Sequence, residues 1–378
     1  MYNVKLYNKI SKVGLDDLDA AKYTCSEDFT DYDAVLVRSA KLHEVEFPKD
    51  LKCIARAGAG VNNIPIDRCS QEGIVVFNTP GANANAVKEL VICALLLASR
   101  KVVQGANWVK GLKGTPDIGP AAEKGKATYA GPEIAGKKLG IIGLGAIGVK
   151  VANAAVGLDM EVWGYDPFLS VDGALKLDRS VKHVTDLNEI FANCDYITIH
   201  VPLNADTKNT ISAEAIEKMK DGVRVINLAR GELVDTKAMA KALESGKVAA
   251  YVSDFASDEI LEQENAITLP HLGASTPESE DNCAMMAARE IKDYLDNGNI
   301  VNSVNLPVLS MPWAAKTRVC VITKNADGAA VTAAVPAVAS AFKARGDYGY
   351  YILDTDAAVD AAAIAAIPGV LRVRVLSK

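Results

Sequence analysis

Four histidines in 378 residues make the search for acid–base chemistry short. His43 lies in the polar stretch Lys-Leu-His-Glu-Val-Glu and His183 in a loop before a helix start, so both read as surface residues. His200 ends the apolar run Tyr196-Ile-Thr-Ile-His, and His271 occupies a turn stiffened by Pro270 after Ala266-Ile-Thr-Leu. Imidazole is the side chain whose charge changes near neutral pH, which makes His200 and His271 the two general acid/base candidates. Arg230 follows Val223-Arg-Val-Ile-Asn-Leu-Ala, a position from which a guanidinium could clamp a carboxylate through two parallel hydrogen bonds. Asp254 and Glu259 follow the next apolar run, 249–253. A carboxylate beside an imidazole favours its protonated form, which suits proton exchange with an alcohol. Arginine, carboxylate and histidine beside a redox cofactor make a site for hydride transfer at a 2-hydroxy acid carbon.

A cofactor signal stands upstream of these residues. Gly143-Leu-Gly145-Ala-Ile-Gly148 follows the strand-like run Lys-Lys-Leu-Gly-Ile-Ile and opens a helical pattern. In this context Gly143 permits a tight turn, Gly145 lets the backbone approach a pyrophosphate, and Gly148 lets helix and strand pack closely. The helix N-terminus then faces the phosphates. Asp166, 18 residues beyond Gly148 at the end of Glu161-Val-Trp-Gly-Tyr, is placed to accept the adenosine ribose hydroxyls. Its charge, followed by Pro167 and Phe168 rather than arginine, opposes a 2′-phosphate and favours NAD over NADP.

The elements that must hold these groups are legible as short apolar runs alternating with helical stretches, the α/β signature. Expected strands are 34–37, 74–77, 139–142, 161–165, 196–200, 223–227 and 249–253, unalternating runs that suit parallel strands covered on both faces. Residues 85–103 read as one long apolar helix, 111–136 as mostly loop, and 306–313, with two prolines, as a linker. The alanine-rich stretch 317–378 reads as a βαββαβ unit.

Composition bounds the rest. The chain is 49% hydrophobic and 23% charged, an ordinary globular mixture, and its length suggests roughly two to three domains. A net charge of −6 disfavours a mainly electrostatic nucleic-acid binder. The longest apolar run, Leu90–Ala98, is far short of the roughly 18 residues of a membrane span. No signal-peptide pattern opens the sequence, so a soluble cytoplasmic protein is expected. Seven scattered cysteines include no CxxC pair, so no metal site is expected.

Taken in order, the Gly143–Gly148 loop, Asp166, His200-Val-Pro-Leu, Asn227-Leu-Ala-Arg-Gly-Glu, Ser253-Asp-Phe and Pro270-His-Leu-Gly-Ala-Ser-Thr resemble the D-2-hydroxyacid dehydrogenase family. Arg56-Ala-Gly-Ala-Gly-Val-Asn-Asn-Ile and Asn78-Thr-Pro-Gly-Ala-Asn carry the likeness into the first 100 residues, and it spans about residues 1–305. The resemblance is closest to members that oxidise D-3-phosphoglycerate to 3-phosphohydroxypyruvate, the first step of phosphorylated serine biosynthesis. It implies two Rossmann-like doubly wound domains: a discontinuous substrate-binding domain, 1–96 and 283–305, and an NAD-binding domain, 97–282, with the active site in the cleft between them. It implies NAD as cofactor, with Ala146, Ile147, His200, Val201, Pro202, Ala229 and Asp254 added to Gly143, Gly145, Gly148 and Asp166 as its contacts. Arg230 would bind the substrate carboxylate with the N–H groups of Ala59 and Gly60, Arg56 would contact the 3-phosphate, and His271 would exchange the proton. Glu259 would pair with His271, although it is followed by Ile260-Leu261 where the family usually has proline, and Asp258 is an adjacent candidate.

The βαββαβ unit, 317–378 after a 306–316 linker, resembles the small ACT regulatory domain, which implies L-serine as a possible effector. There Asn325 matches the expected asparagine, but Ala-Asp-Gly follows in place of the usual valine-proline pattern. Family members usually dimerise through the cofactor domain, so a homodimer or higher homo-oligomer is expected. Two alternatives share these motifs: a glyoxylate or hydroxypyruvate reductase of the same family, and a non-catalytic NAD-sensing corepressor or scaffold.

Overall fold

The computed structural model describes residues 1–378. The chain divides into two compact units, residues 1–83 with 277–378, and residues 84–276. Each crossing falls at the first residue of a long helix, Ala84–Ser99 or Pro277–Asn297, rather than inside it as the boundaries at 96/97 and 282/283 would require.

In the first unit, β1 (Tyr2–Tyr7), β2 (Tyr23–Ser26), β3 (Ala34–Val37), β4 (Cys53–Arg56) and β5 (Val75–Asn78) form a parallel sheet in the order β2-β1-β3-β4-β5. β3 is buried along its whole length, as an unalternating apolar run requires when both faces are covered.

The second unit holds β6 (Lys138–Ile142), β7 (Glu161–Tyr165), β8 (Lys182–Val184), β9 (Tyr196–Ile199), β10 (Val223–Asn227), β11 (Val248–Ser253) and β12 (Ala266–Thr268). All are parallel, in the order β12-β11-β10-β9-β6-β7-β8. This is the doubly wound dinucleotide-binding order with one strand added, and its direction reverses between β6 and β9. The crevice at that reversal, outside the strand C-termini, is where such sheets bind ligands.

β13 (Thr317–Lys324), β14 (Ala339–Arg345), β15 (Tyr348–Thr355) and β16 (Val370–Ser377) form an antiparallel sheet in the order β14-β15-β13-β16, with helices Gly328–Ala333 and Ala361–Ala365 completing the βαββαβ unit. This sheet belongs to the first unit and shares its core. Ala287, Ile291 and Leu295 of the 277–297 helix pack in one cluster with Val4, Ala55 and Phe77 of the parallel sheet and with Cys320, Ile322 and Ile352. The helix C-terminus is closed by the same sheet: Arg374 donates to the carbonyls of Tyr294 and Leu295, both at 2.8 Å, and Arg318 to that of Asn297 at 2.9 Å. Cations and donors at that end satisfy otherwise orphaned carbonyls and oppose the helix dipole. Arg318 is fully buried and also holds Asp354 through two bonds of 2.7 and 2.9 Å.

Three expectations are corrected. The apolar helix stops at Ser99, whose hydroxyl turns back to the Leu95 carbonyl and meets the Tyr196 hydroxyl, and a separate helix begins at Val102. The stretch 111–136 is not mostly loop, because it contains the helix Ile118–Gly125 and a 3₁₀ turn at Lys126–Tyr129. The 306–316 segment is packed rather than a free linker: Leu306 is fully buried and Leu309 bridges to Ile300. No helix is long and apolar enough to cross a membrane.

Candidate active site

At the strand reversal of the second unit, the three glycines have distinct jobs. Gly143 follows β6 at φ 97°, and a Cβ there would lie 2.7 Å from the His200 carbonyl oxygen at the end of β9. Gly148 is in the first turn of the helix Ala146–Val156, and its Cβ would lie 1.9 Å from the Gly143 carbonyl oxygen. Only glycine fits either place. At Gly145 a Cβ would meet nothing within 4 Å, so the loop presents open backbone there. Asp166, just past β7, accepts from Leu144 N–H at 2.9 Å and Phe168 N–H at 2.8 Å, one on each oxygen. The carboxylate is thereby fixed beside the loop with lone pairs left over for hydroxyl donors.

The structure separates the two histidines. Burial pushes the His200 imidazole down to about 4, so it is neutral at physiological pH. Its Nε2 is 3.0 Å from the Thr198 hydroxyl and its Nδ1 has no partner. A ring so reluctant to protonate is a poor proton acceptor for catalysis. His200 instead underlies the glycine loop with its backbone carbonyl, and Val201 flanks Gly143 through its side chain.

His271 is exposed, with its ring centroid 4.9 Å from that of Phe255. It holds φ 28°, a value rarely adopted by a side-chain-bearing residue, and its N–H is tied to the Asp254 carbonyl at 3.0 Å. Asp254, just past β11, is 2% exposed. Burial raises its carboxyl pKa, opposed by the Gly273 N–H bond of 3.0 Å and by the fields of His271 and Arg230. Arg230, Asp254 and His271 follow the C-terminal ends of β10, β11 and β12, with the Asp254 carboxyl feeling the charge of the other two. Asp254 Oδ1 is buried and lacks a hydrogen-bond partner. Arg230 is half-buried, with Nη1 donating to the Ala229 carbonyl at 2.6 Å.

The turn carrying Arg230 is shaped by Asn227, which is fully buried. Its Nδ2 donates to the Arg230 carbonyl at 2.8 Å and its Oδ1 accepts from Ala229 N–H at 3.1 Å.

Comparison with known proteins accords with this geometry. Residues 92–277 match the family model described as D-isomer specific 2-hydroxyacid dehydrogenase, NAD binding domain. These residues form such a domain. A D-3-phosphoglycerate dehydrogenase of Archaeoglobus fulgidus is 40% identical over 286 residues, covering 73% of this chain and 52% of the relative. The crystal structure of NAD+-bound 3-phosphoglycerate dehydrogenase of Entamoeba histolytica superposes with a TM-score of 0.65 at 28% identity, over 82% of this chain and 99% of that one. A glyoxylate reductase structure from Paecilomyes thermophila gives a TM-score of 0.66 at 26% identity, over 80% and 98%. The chain spans about half the length of the archaeal relative.

The residues present fit NAD. The open backbone at Gly145, with Ala146 and Ile147 at the helix N-terminus, suits a pyrophosphate, and the fixed Asp166 carboxylate suits ribose hydroxyls. The orphan Oδ1 of Asp254 is an acceptor for a carboxamide N–H. In this 2-hydroxyacid dehydrogenase domain Glu259 is half-buried on the short helix Asp258–Leu261, and neither it nor exposed Asp258 forms an ion pair with His271. Asp254 is the carboxylate that responds to the His271 charge.

The first unit carries the remaining expected residues beyond β4. Arg56 is half-buried, with Nε donating to the Arg38 carbonyl at 3.0 Å. Its guanidinium lies over Gly58, where a Cβ would be 1.7 Å from Nη1, and Gly58 holds φ 148°. Ala59 is exposed and Gly60 half-buried. The loop is tied down from β5: Asn78 Nδ2 donates to the Ala59 carbonyl at 2.6 Å and Thr79 N–H to the Gly58 carbonyl at 3.1 Å. Asn227, Phe255 and Asn78 acquire structural roles that residue type alone did not single out. Asn227 and Asn78 do share one signal, an asparagine closing an apolar run, since asparagine readily bonds backbone groups of a turn.

Proposed function

We propose that the protein catalyses NAD-dependent oxidation of D-3-phosphoglycerate to 3-phosphohydroxypyruvate, the entry step of phosphorylated serine biosynthesis. The observation that carries this reading is that Arg230, buried Asp254 and His271 follow the C-terminal ends of β10, β11 and β12, in the same parallel sheet whose β6 leads into the dinucleotide loop. NAD, when bound, supplies the hydride acceptor. Arg230 pairs with the substrate carboxylate in the two-pronged geometry that guanidinium favours. The resemblance to the family gives the Ala59 and Gly60 N–H groups a carboxylate-binding role. His271 receives the hydroxyl proton, and buried Asp254 steadies the imidazolium that results. Arg56 takes the phosphate, the feature that separates this substrate from glyoxylate. The names of the curated relatives support the same substrate.

The decisive assay follows NADH absorbance with a panel of 2-oxo acids. Turnover with 3-phosphohydroxypyruvate well above that with glyoxylate or hydroxypyruvate is expected. The reverse order would make the protein a glyoxylate or hydroxypyruvate reductase, and no turnover with any of them would leave an NAD-binding scaffold.

Two finer readings accompany this one. A second copy of the chain is expected to cover the helices Val102–Gly111 and Ile118–Gly125, which bury no residue of their own and expose Val102, Val109 and Ile118. Light scattering at the monomer mass would refute it. L-serine is the candidate effector of the 317–378 sheet, where Asn325 takes φ 50° in the turn after β13; unchanged kinetics at millimolar serine would remove that role. Seven free cysteines support a reducing, cytoplasmic setting.

A further inference from the structure

The 277–297 helix carries a carboxyl for which the reaction has no use. Glu290 is 3% exposed on a helix packed against β3, β4 and β5. Its Oε1 accepts from Asn302 Nδ2 at 2.7 Å, while Oε2 has no partner. Burial pushes the carboxyl up to about 8, so it stands neutral at physiological pH as an anchor for one amide. No charged side chain contributes to that shift; the Asn302 bond alone opposes burial.

Asn302 is itself in an uncommon conformation, φ 49°, at the point where the chain turns back toward the parallel sheet. Its carbonyl accepts the Asn78 N–H at 3.4 Å. The next residues extend the edge of that sheet: Ser303 bridges to Phe77 and Val304 N–H donates to the Val76 carbonyl at 2.9 Å. Asn305 locks this register through Oδ1, which accepts from Val76 N–H at 2.9 Å. Asn78, held from behind, directs its own side chain to the Ala59 carbonyl, and its neighbour Thr79 holds Gly58.

We propose that Glu290 and Asn302 are positioning residues, which set Asn78 and through it the Gly58–Gly60 loop that presents N–H groups to the substrate carboxylate. The proposal rests on the carboxylate-binding role given to that loop above. It differs from a purely structural role in what it predicts for binding. A polar cluster that only stabilises the fold would leave the loop intact in every variant that folds. A positioning chain transmits its loss to one ligand and not to the other, because the NAD loop belongs to the other unit.

The test uses the full chain and three variants. Asn302→Gly keeps the left-handed backbone and removes the amide. Glu290→Leu removes the acceptor at similar volume, and Glu290→Gln retains a neutral acceptor. For Asn302→Gly and Glu290→Leu the expected result is a KM for the 2-oxo acid raised about tenfold. The same two variants should keep kcat within about threefold and the NADH dissociation constant unchanged. Glu290→Gln should stay within about twofold of the parent in every parameter. Calorimetric titration with oxalate, an unreactive mimic of a 2-oxo acid, supplies a readout independent of turnover, with affinity expected to fall by the same factor. Asn302→Gly spares the core, so it decides the matter if Glu290→Leu does not fold. Unchanged KM and oxalate affinity in Asn302→Gly would overturn the proposal, as would equal losses in NADH and oxalate binding. A parent protein that binds oxalate but turns over no 2-oxo acid would instead refute the dehydrogenase reading, with the oxalate series still judging the positioning chain.

Discussion

Replacing Glu290 with glutamine should make the protein more stable at pH 8 and leave it nearly unchanged at pH 5. The carboxyl is buried, and its pKa rises from an ordinary 4.5 to about 8 in the folded chain. Below pH 4.5 both folded and unfolded states hold the proton, so the protonated group's contribution is fully present. Between about 4.5 and 8 the folded state keeps the proton while the unfolded state releases it, so stability falls as pH rises. A shift of about 3.5 units at roughly 1.36 kcal/mol each sets an upper bound near 5 kcal/mol, and relaxation of the site brings the expected loss to about 2–4 kcal/mol. Glutamine has no proton to lose, so the difference between variant and parent isolates this one group from the rest of the titration curve. At roughly 2–4 °C per kcal/mol for a unit of this size, the variant should melt about 5–15 °C higher than the parent at pH 8. Thermal unfolding followed by circular dichroism at pH 5, 6.5 and 8 provides the measurement. Melting curves for parent and variant that shift in parallel with pH would show that Glu290 is ionised or solvated in the folded protein, contrary to a buried neutral carboxyl.

Three further outcomes follow from the same geometry. Gly148→Ala drives a Cβ into the Gly143 carbonyl, so NADH affinity measured by fluorescence titration should fall at least about tenfold, whereas unchanged affinity would mean the loop does not hold the cofactor. His271→Asn should lower kcat about 10²- to 10⁴-fold with the NADH dissociation constant nearly intact, the signature of a lost proton acceptor. Arg318→Leu leaves Asp354 buried and unpaired and uncaps the helix carbonyl of Asn297; a loss of about 3–5 kcal/mol in denaturant unfolding is expected, and a loss under 1 would show that the pair is hydrated.

Much of the cofactor half was legible before any coordinates, for a physical reason. Parallel strands covered on both faces are mostly apolar along their length, so 139–142, 161–165 and 223–227 stand out, and each falls on a strand of the structure. The glycine loop was equally visible because close backbone approach leaves no alternative residue at Gly143 or Gly148. What stayed hidden depends on tertiary context. β1, Tyr-Asn-Val-Lys-Leu-Tyr, mixes polar and apolar residues, and only Val4 is buried along it. β14, Ala-Ser-Ala-Phe-Lys-Ala-Arg, looks helical in composition and becomes a strand because β15 pairs with its whole length. No local pattern distinguishes His200 from His271; the burial of one ring beneath the strand ends and the exposure of the other do so. Likewise the neutral Glu290 is an unremarkable glutamate on a helix until the sheet behind it is in place.

Recognition of a phosphorylated 2-hydroxy acid by Arg56 is tested most directly by Arg56→Ala. The measurement is kcat/KM for 3-phosphohydroxypyruvate and for glyoxylate on parent and variant, with NADH saturating. A charge-assisted contact worth about 2–3 kcal/mol predicts a loss of roughly 30- to 150-fold for the phosphorylated compound and under about threefold for glyoxylate. Equal losses on both substrates would reduce Arg56 to a support for the Gly58 loop, and no loss on either would contradict phosphate recognition altogether.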